Sequence, residues 1–192
     1  MNVQMYLMRH GETIANQNGL IQGQTDYPLT EEGKQVILRL AQKIRHVSFE
    51  SIFSSDLGRA KESSDLVTNE LDYQKPVIYT KALREIDFGD YSRLPKKEVM
   101  EKIRLHKMNE EIPYPNGESG LDLKKRVTDF VHRILNSVQS GNVLVVTHYG
   151  VIETILKNFT DMGNDQIIRF KPSAIALLRF NGTMAGWERL EY

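Results

Sequence analysis

The stretch that indicates the fold most clearly is residues 142–159, NVLVVTHYGVIETILKNF. After Asn142 it has four consecutive aliphatic residues, Val143-Leu144-Val145-Val146, which predict a buried strand ending at Thr147. After Gly150 the apolar residues recur at helical spacing, which predicts a helix up to Phe159. A buried strand followed directly by a helix is typical of domains with a parallel sheet.

The same alternation runs along the rest of the chain. Strands are predicted at 3–8, 51–54, 76–79, 174–180 and 187–192, and helices after Thr30 and Leu57 and over 96–106 and 121–138. Residues 11–27 and 83–95 are predicted to be loops. We therefore expect an α/β fold, a three-layer α/β/α sandwich whose mainly parallel central sheet carries helices on both faces.

The composition is that of an ordinary globular protein, and residues 1–192 are expected to form one domain. Its 25 basic and 25 acidic side chains cancel, so neither a nucleic acid nor a membrane is expected as a partner. No apolar run approaches the ~20 residues of a membrane span, and the first residues do not resemble a secretory signal. The lack of cysteine excludes cysteine nucleophiles and thiolate zinc sites, and it favours a cytoplasmic protein.

Candidate functional residues follow the predicted strands, because active sites of parallel sheets lie at the carboxyl ends of the strands. The first strand leads into Arg9-His10, and the Val-rich strand leads into His148. The second strand leads into Ser54-Ser55-Asp56, with Arg59 one turn into the following helix. Two histidines and two arginines from distant parts of the sequence are therefore expected to converge.

This set of side chains suits phosphoryl transfer. Guanidinium groups match the oxygens of a phosphate, and they lower the pKa of a neighbouring histidine, which leaves a neutral, nucleophilic nitrogen. A second histidine can donate to the phosphoryl oxygens in the transition state. The residues therefore predict a phosphohistidine intermediate and a phosphorylated small molecule as the substrate.

A proton donor for the leaving oxygen is expected in the loop after the third strand. Glu85 is the best candidate because it lies nearest the end of that strand, and Asp87 and Asp90 are the alternatives. Arg84 could form a local ion pair with Glu85. The three remaining histidines are interpreted as surface residues without a role. Lys96-Lys97 and Lys124-Lys125-Arg126 are interpreted as solvated surface groups, although a lysine at the rim of the site could attract a phosphorylated substrate.

Motifs of other enzyme classes are missing from the sequence. It contains no P-loop and no dinucleotide-binding glycine pattern, and Gly117-Glu118-Ser119-Gly120 departs from a nucleophile elbow by one position. It also shows no metal-ligating pattern of histidines or paired carboxylates, so no metal site is predicted.

Five segments, in order, resemble the histidine phosphatase superfamily, also called the phosphoglycerate mutase-like family. They are Leu7-Met8-Arg9-His10-Gly11-Glu12-Thr13, residues 22–30, Ser54-Ser55-Asp56-Leu57-Gly58-Arg59-Ala60, Leu83-Arg84-Glu85 and Thr147-His148. Asn16 follows the first segment at the spacing of the family. The resemblance covers nearly the whole chain.

The resemblance implies a role for each matching residue. His10 is the phosphate acceptor, Glu85 is the general acid and then the base, and Arg9, Asn16, Arg59 and His148 bind the phosphoryl group. Two further positions, Gln22 and Gly23, match substrate contacts of the family. No metal and no cofactor is implied.

The sequence departs from the family at two places that could shape the substrate pocket. Tyr149 follows the second histidine where many relatives have glycine, and Asp90-Tyr91-Ser92 replaces a Trp-Glu-Gly run. The short segment between Glu85 and Thr147 favours an open site and hence a phosphatase over a cofactor-dependent phosphoglycerate mutase. A catalytically inactive phosphate-recognition module is a third alternative, which the presence of His10 and Glu85 disfavours. The identity of the substrate stays open, since a sugar phosphate, a phosphoglycerate-like acid, a nucleotide-derived phosphate and a phosphoprotein all fit. The oligomeric state stays open as well.

Overall fold

A computed structural model describes residues 2–163 and 174–191. Its strands form one sheet in the order β3-β2-β4-β1-β5-β6. The strands are β1 Asn2–Arg9, β2 Phe49–Ser55, β3 Ile78–Thr80, β4 Ser140–Thr147, β5 Ala174–Asn181 and β6 Met184–Glu191. The helices are α1 Ile14–Gln17, α2 Glu31–Lys43, α3 Gly58–Glu70, α4 Lys96–Met108, α5 Gly120–Ser137 and α6 Tyr149–Phe159.

The sheet is parallel from β3 to β1, and β5 and β6 continue it antiparallel. Alternate residues of β1 enter two separate cores, as the pleat of a strand requires. Met5 and Leu7 pack with α5 and α6 on one face, whereas Tyr6 and Met8 pack with α2 and α3 on the other. The predicted α/β/α sandwich is therefore confirmed.

The structure differs from the sequence prediction mainly in short elements. The segment 11–27 was expected to be a loop, but it contains α1, whose single turn is closed by a reciprocal cap between Thr13 and Asn16. Strand β3 is only three residues long, and β6 begins at Met184 rather than Trp187 because the hairpin turn is tight. Tyr192, placed in the last predicted strand, lies outside the described residues. None of the helices in the described ranges is long and apolar enough to cross a bilayer.

Candidate active site

The register of two neighbouring strands places the two site histidines side by side. Arg9 at the end of β1 pairs with Thr147 at the end of β4, and the His10 backbone N–H donates to the Thr147 carbonyl at 2.9 Å. The next residue of each strand is a histidine, and the two ring centroids lie 5.1 Å apart. Both side chains are buried. The convergence expected from the sequence is therefore present.

The backbone carbonyl of Gly11 fixes the orientation of the His10 ring. Its Nδ1 lies 2.7 Å from the carbonyl oxygen of Gly11, which can only accept, so the proton of the neutral ring sits on Nδ1. Nε2 therefore carries the free electron pair, and it accepts from Nε of Arg59 at 3.2 Å. Burial lowers the pKa of His10 well below its ordinary value, and the charges of Arg9 and Arg59 lower it further. The ring is consequently a neutral nucleophile with Nε2 as its reactive atom.

The two arginines differ in how they are held. Arg59 is almost completely buried at the start of α3, and its terminal nitrogens donate to the carbonyls of Thr25 at 2.8 Å and Gly23 at 2.7 Å. Burial lowers the pKa of Arg59 to about 10, so the group stays cationic near neutral pH. Nε of Arg9, by contrast, is buried and has no hydrogen-bond partner in the part of the chain that the structure describes. Arg9 is therefore the cation with unused donor capacity beside His10.

A serine on the neighbouring strand sets the state of the second histidine. Nε2 of His148 lies 2.8 Å from the Ser55 hydroxyl, which also accepts the N–H of Leu57 at 3.3 Å. The hydroxyl hydrogen can be donated to Nε2, and in that tautomer the ring proton of His148 is on Nδ1. That Nδ1 is buried and has no hydrogen-bond partner among residues 2–163 and 174–191, and burial lowers the pKa of His148 well below its ordinary value. The arrangement prepares a neutral donor beside His10.

Glu85 is held at the start of α6. Its carboxylate oxygens accept the backbone N–H groups of Ile86 at 2.9 Å and Gly150 at 3.2 Å. A Cβ atom at Gly150 would overlap Oε1 of Glu85, so glycine is required for this close approach. The two alternative carboxylates of this loop, Asp87 and Asp90, are absent from the cavity that Glu85 and His10 share.

The expected substrate-binding residues surround the same cavity. Arg9, His10, Asn16, Gln22, Gly23, Arg59 and Glu85 all line a cleft of about 820 Å³. The amide oxygen of Asn16 accepts the Thr13 backbone N–H at 3.1 Å, and the amide oxygen of Gln22 accepts the Thr13 hydroxyl at 2.9 Å, which leaves both NH₂ groups as donors for a ligand. His148 is missing from the lining and contacts the His10 ring instead. In the described part of the chain, no group of three or more potential ligand side chains could hold a metal ion.

Sequence reasoning missed the residues that hold the Glu85 loop. Arg126 was interpreted as a surface group, but it forms a two-pronged ion pair with Glu118 at 2.6 and 2.9 Å. The same guanidinium donates to the carbonyls of Ala82 at 3.0 Å and Glu85 at 3.1 Å. Its position three residues after Leu123, beside the buried face of α5, was the available signal.

Arg84 also behaves differently from the simplest expectation. Among the described residues it makes no hydrogen bond or ion pair with the carboxylate of Glu85 and pairs instead with both oxygens of Asp56, each at 2.6 Å. This pair lowers the pKa of Asp56 and ties the Glu85 loop to the end of β2.

Comparison with known proteins agrees with this geometry. The family model described as "Histidine phosphatase superfamily (branch 1)" matches residues 5–192. The adenosylcobalamin/alpha-ribazole phosphatase of Escherichia coli K12 is 30% identical over 175 residues, 88% of this chain and 85% of its own length. GpmB of Salmonella choleraesuis, named a probable phosphoglycerate mutase, is 32% identical over 151 residues, 76% of this chain and 69% of its own length.

Solved structures give the same result. The alpha-ribazole phosphatase of Shigella flexneri superimposes with a TM-score of 0.82 at 28% identity, covering 98% of this chain and 96% of its own. The chain therefore belongs to the histidine phosphatase superfamily, branch 1.

Proposed function

We propose that the chain is a phosphomonoester hydrolase that acts on a small phosphorylated metabolite through a phosphohistidine at Nε2 of His10. The observation that carries the proposal is the His10 ring itself, with its proton held on Nδ1 by Gly11 and its free electron pair facing Arg59. We also propose that residues 1–192 form one domain. The enzyme is placed in the cytoplasm because the chain lacks cysteine.

In the first step, Nε2 of His10 attacks phosphorus and the P–O bond to the substrate alcohol breaks. The Glu85 carboxyl group gives its proton to the departing oxygen, which leaves as an alcohol. Arg9, Arg59 and Nδ1–H of His148 offset the charge on the three equatorial oxygens, and the Asn16 and Gln22 amides are placed to bind them as well. Because these donors supply the positive charge, we propose that no metal ion is needed.

In the second step, a water molecule attacks phosphorus and the P–N bond to His10 breaks. The Glu85 carboxylate accepts a proton from this water, which returns the carboxyl group to its starting state. Inorganic phosphate leaves, and the His10 ring is again neutral. The substrate supplies the phosphoryl group and water supplies the acceptor, so the cycle consumes no other reactant.

Hydrolysis is favoured over mutase activity by the two relatives named alpha-ribazole phosphatase. The similarity to GpmB supports cofactor-dependent phosphoglycerate mutase as the second candidate. Alpha-ribazole phosphate is accordingly one substrate to test, beside sugar phosphates and phosphoglycerates.

A substrate panel separates these functions. The purified chain is incubated with p-nitrophenyl phosphate, alpha-ribazole phosphate, glucose 6-phosphate and 3-phosphoglycerate, with and without EDTA. Release of inorganic phosphate that EDTA does not reduce is the expected result, with competitive inhibition by vanadate. Interconversion of phosphoglycerates without phosphate release would favour the mutase, and loss of turnover on chelation, restored by Mg²⁺, would contradict the metal-independent mechanism.

A further inference from the structure

One wall of the active-site cleft is a single face of helix α4. Six of its residues line the cleft together with Arg9 and His10, and all of them except Glu101 follow the spacing of one helical face: Lys96, Met100, Glu101, Ile103, Arg104 and Lys107. A cleft of about 820 Å³ is of the size that takes a whole small molecule, well beyond a phosphoryl group alone. The α4 wall therefore faces the organic part of the substrate.

The charge on this wall is mostly positive and partly uncompensated. Within residues 2–163 and 174–191, Lys96 and Arg104 have no ion-pair partner at all. Lys107 and Lys157 both pair with the single carboxylate of Glu153, each at 3.0 Å, so one of their two positive charges is not neutralised by it. Glu101 is the one acidic residue among the α4 residues that line the cleft. An anionic group would therefore find open partners on this wall.

Part of the cleft lining is apolar or aromatic. Leu20, Phe88, Met100 and Tyr149 all line the cleft. The Tyr149 ring centroid is 6.0 Å from Cζ of Arg9 on one side and 5.9 Å from Nζ of Lys107 on the other. A flat or apolar body of a substrate can pack against these side chains.

We propose that the substrate carries a second anionic group, a carboxylate or a second phosphate, which binds Lys96 and Arg104 on α4. A flat or apolar body separates this group from the phosphoryl group that reacts with His10. The inference rests on the proposed function, since it names the class of phosphomonoester that this site selects. It also explains why Tyr149 stands where many relatives have glycine: the ring supports the body of the substrate.

Three aryl phosphates test the inference because they share a flat body and differ in the second anion. They are phenyl phosphate, 4-carboxyphenyl phosphate and benzene-1,4-diyl bisphosphate. We expect kcat/KM to be at least about tenfold higher for the two compounds with a second anion, since charge-assisted hydrogen bonds are the stronger ones. The larger advantage of the two identifies the preferred anion, carboxylate or phosphate.

The double variant Lys96→Gln/Arg104→Gln should remove that advantage. We expect KM of both dianionic probes to rise about tenfold, with kcat little changed and phenyl phosphate within twofold of wild type. Lys97→Gln is the matched control, because Lys97 neighbours Lys96 on α4 but does not line the cleft. Added salt should raise KM for the dianionic probes more than for phenyl phosphate.

Two outcomes separate this inference from the proposed function. If phenyl phosphate is hydrolysed but all three probes respond alike to the double variant, the inference is wrong and the phosphatase stands. If no probe is hydrolysed, the proposed function fails, and calorimetric binding of the same probes to His10→Ala decides the inference independently. Equal affinities with and without the Lys96→Gln/Arg104→Gln pair would overturn it, and weaker binding of the dianionic probes alone would support it.

Discussion

At the residue scale, the chemistry of this chain depends on where single protons sit. Gly11 holds the His10 proton on Nδ1, and Ser55 is placed to hold the His148 proton on the same atom of its ring. In the proposed mechanism, His10 attacks and His148 donates. The carboxylate of Glu85 accepts hydrogen bonds from two backbone N–H groups, which fix it between the cleft and the start of α6.

Replacing the proton donor should affect substrates according to their leaving group. An alkoxide needs a proton as the P–O bond breaks, whereas a nitrophenolate hardly does. In Glu85→Gln, the burst rate of phosphorylation should therefore fall at least about tenfold more for an alkyl phosphate than for p-nitrophenyl phosphate. Rapid-quench kinetics measure both bursts. If Asp87→Asn shows this dependence and Glu85→Gln does not, the wrong carboxylate has been assigned.

Ser55→Ala should disturb His148 without touching the substrate. It leaves Nε2 of His148 and the Leu57 N–H buried without their partner, so the ring proton is no longer fixed on Nδ1. We expect kcat/KM to fall about 10- to 100-fold, which corresponds to roughly 1–3 kcal/mol. Ser54→Ala is the control, since the Ser54 hydroxyl donates to the Ser55 carbonyl instead.

Nitrogen-15 NMR of the histidine side chains gives a second test of Ser55. Wild-type His148 should be protonated at Nδ1, and the Ser55→Ala variant should show a mixture of both tautomers. A wild-type ring protonated at Nε2 would show that Ser55 accepts from His148 and that the proposed donor is absent.

At the scale of elements, the site exists because strand ends and helix starts meet at one edge of the sheet. The strand-end rule was sufficient to find Arg9, His10, Arg59 and His148 from the sequence, since parallel pairing aligns the carboxyl ends of β1, β2 and β4. Helix α1 could not be found, because a four-residue helix has no apolar periodicity. The role of Arg126 was hidden because neither partner lies in α5. Glu118 precedes that helix, and the Ala82 carbonyl is a backbone group distant in sequence.

Gly150→Ala tests the contact between α6 and the Glu85 loop. The added methyl group would overlap Oε1 of Glu85, so the carboxylate must move away from its two N–H partners. We expect hydrolysis of an alkyl phosphate to fall at least about tenfold, while the p-nitrophenyl phosphate burst changes much less. Gly186→Ala serves as the control, because a Cβ there meets nothing within 4 Å. Equal loss for both substrates would indicate general disruption of the site.

At the scale of the whole molecule, the two buried site histidines make the stability of the fold depend on pH. Two histidines are buried next to arginines, and burial together with those charges lowers the pKa of both below the ordinary value of about 6.5. Below that pH, the unfolded chain binds protons that the native chain does not bind. The free energy of unfolding should therefore fall as the pH drops below about 6.5.

Urea unfolding at pH 7, 6 and 5 measures this effect. For each buried histidine the loss can reach about 1.4 kcal/mol per pH unit, so His148→Gln should show a shallower dependence than wild type by up to that amount. The comparison uses the change with pH, so a constant loss of stability in the variant does not matter. Identical slopes in the two proteins would mean that His148 titrates alike in the native and unfolded states.

The central claim is that His10 carries the phosphoryl group, and trapping that intermediate tests it most directly. Wild-type enzyme is mixed with ³²P-labelled substrate, quenched in base during turnover and mapped by mass spectrometry. We predict one acid-labile, base-stable phosphate on Nε2 of His10, and neither label nor turnover in His10→Ala. Full steady-state activity in His10→Ala, or label on another residue of the wild-type enzyme, would contradict the account.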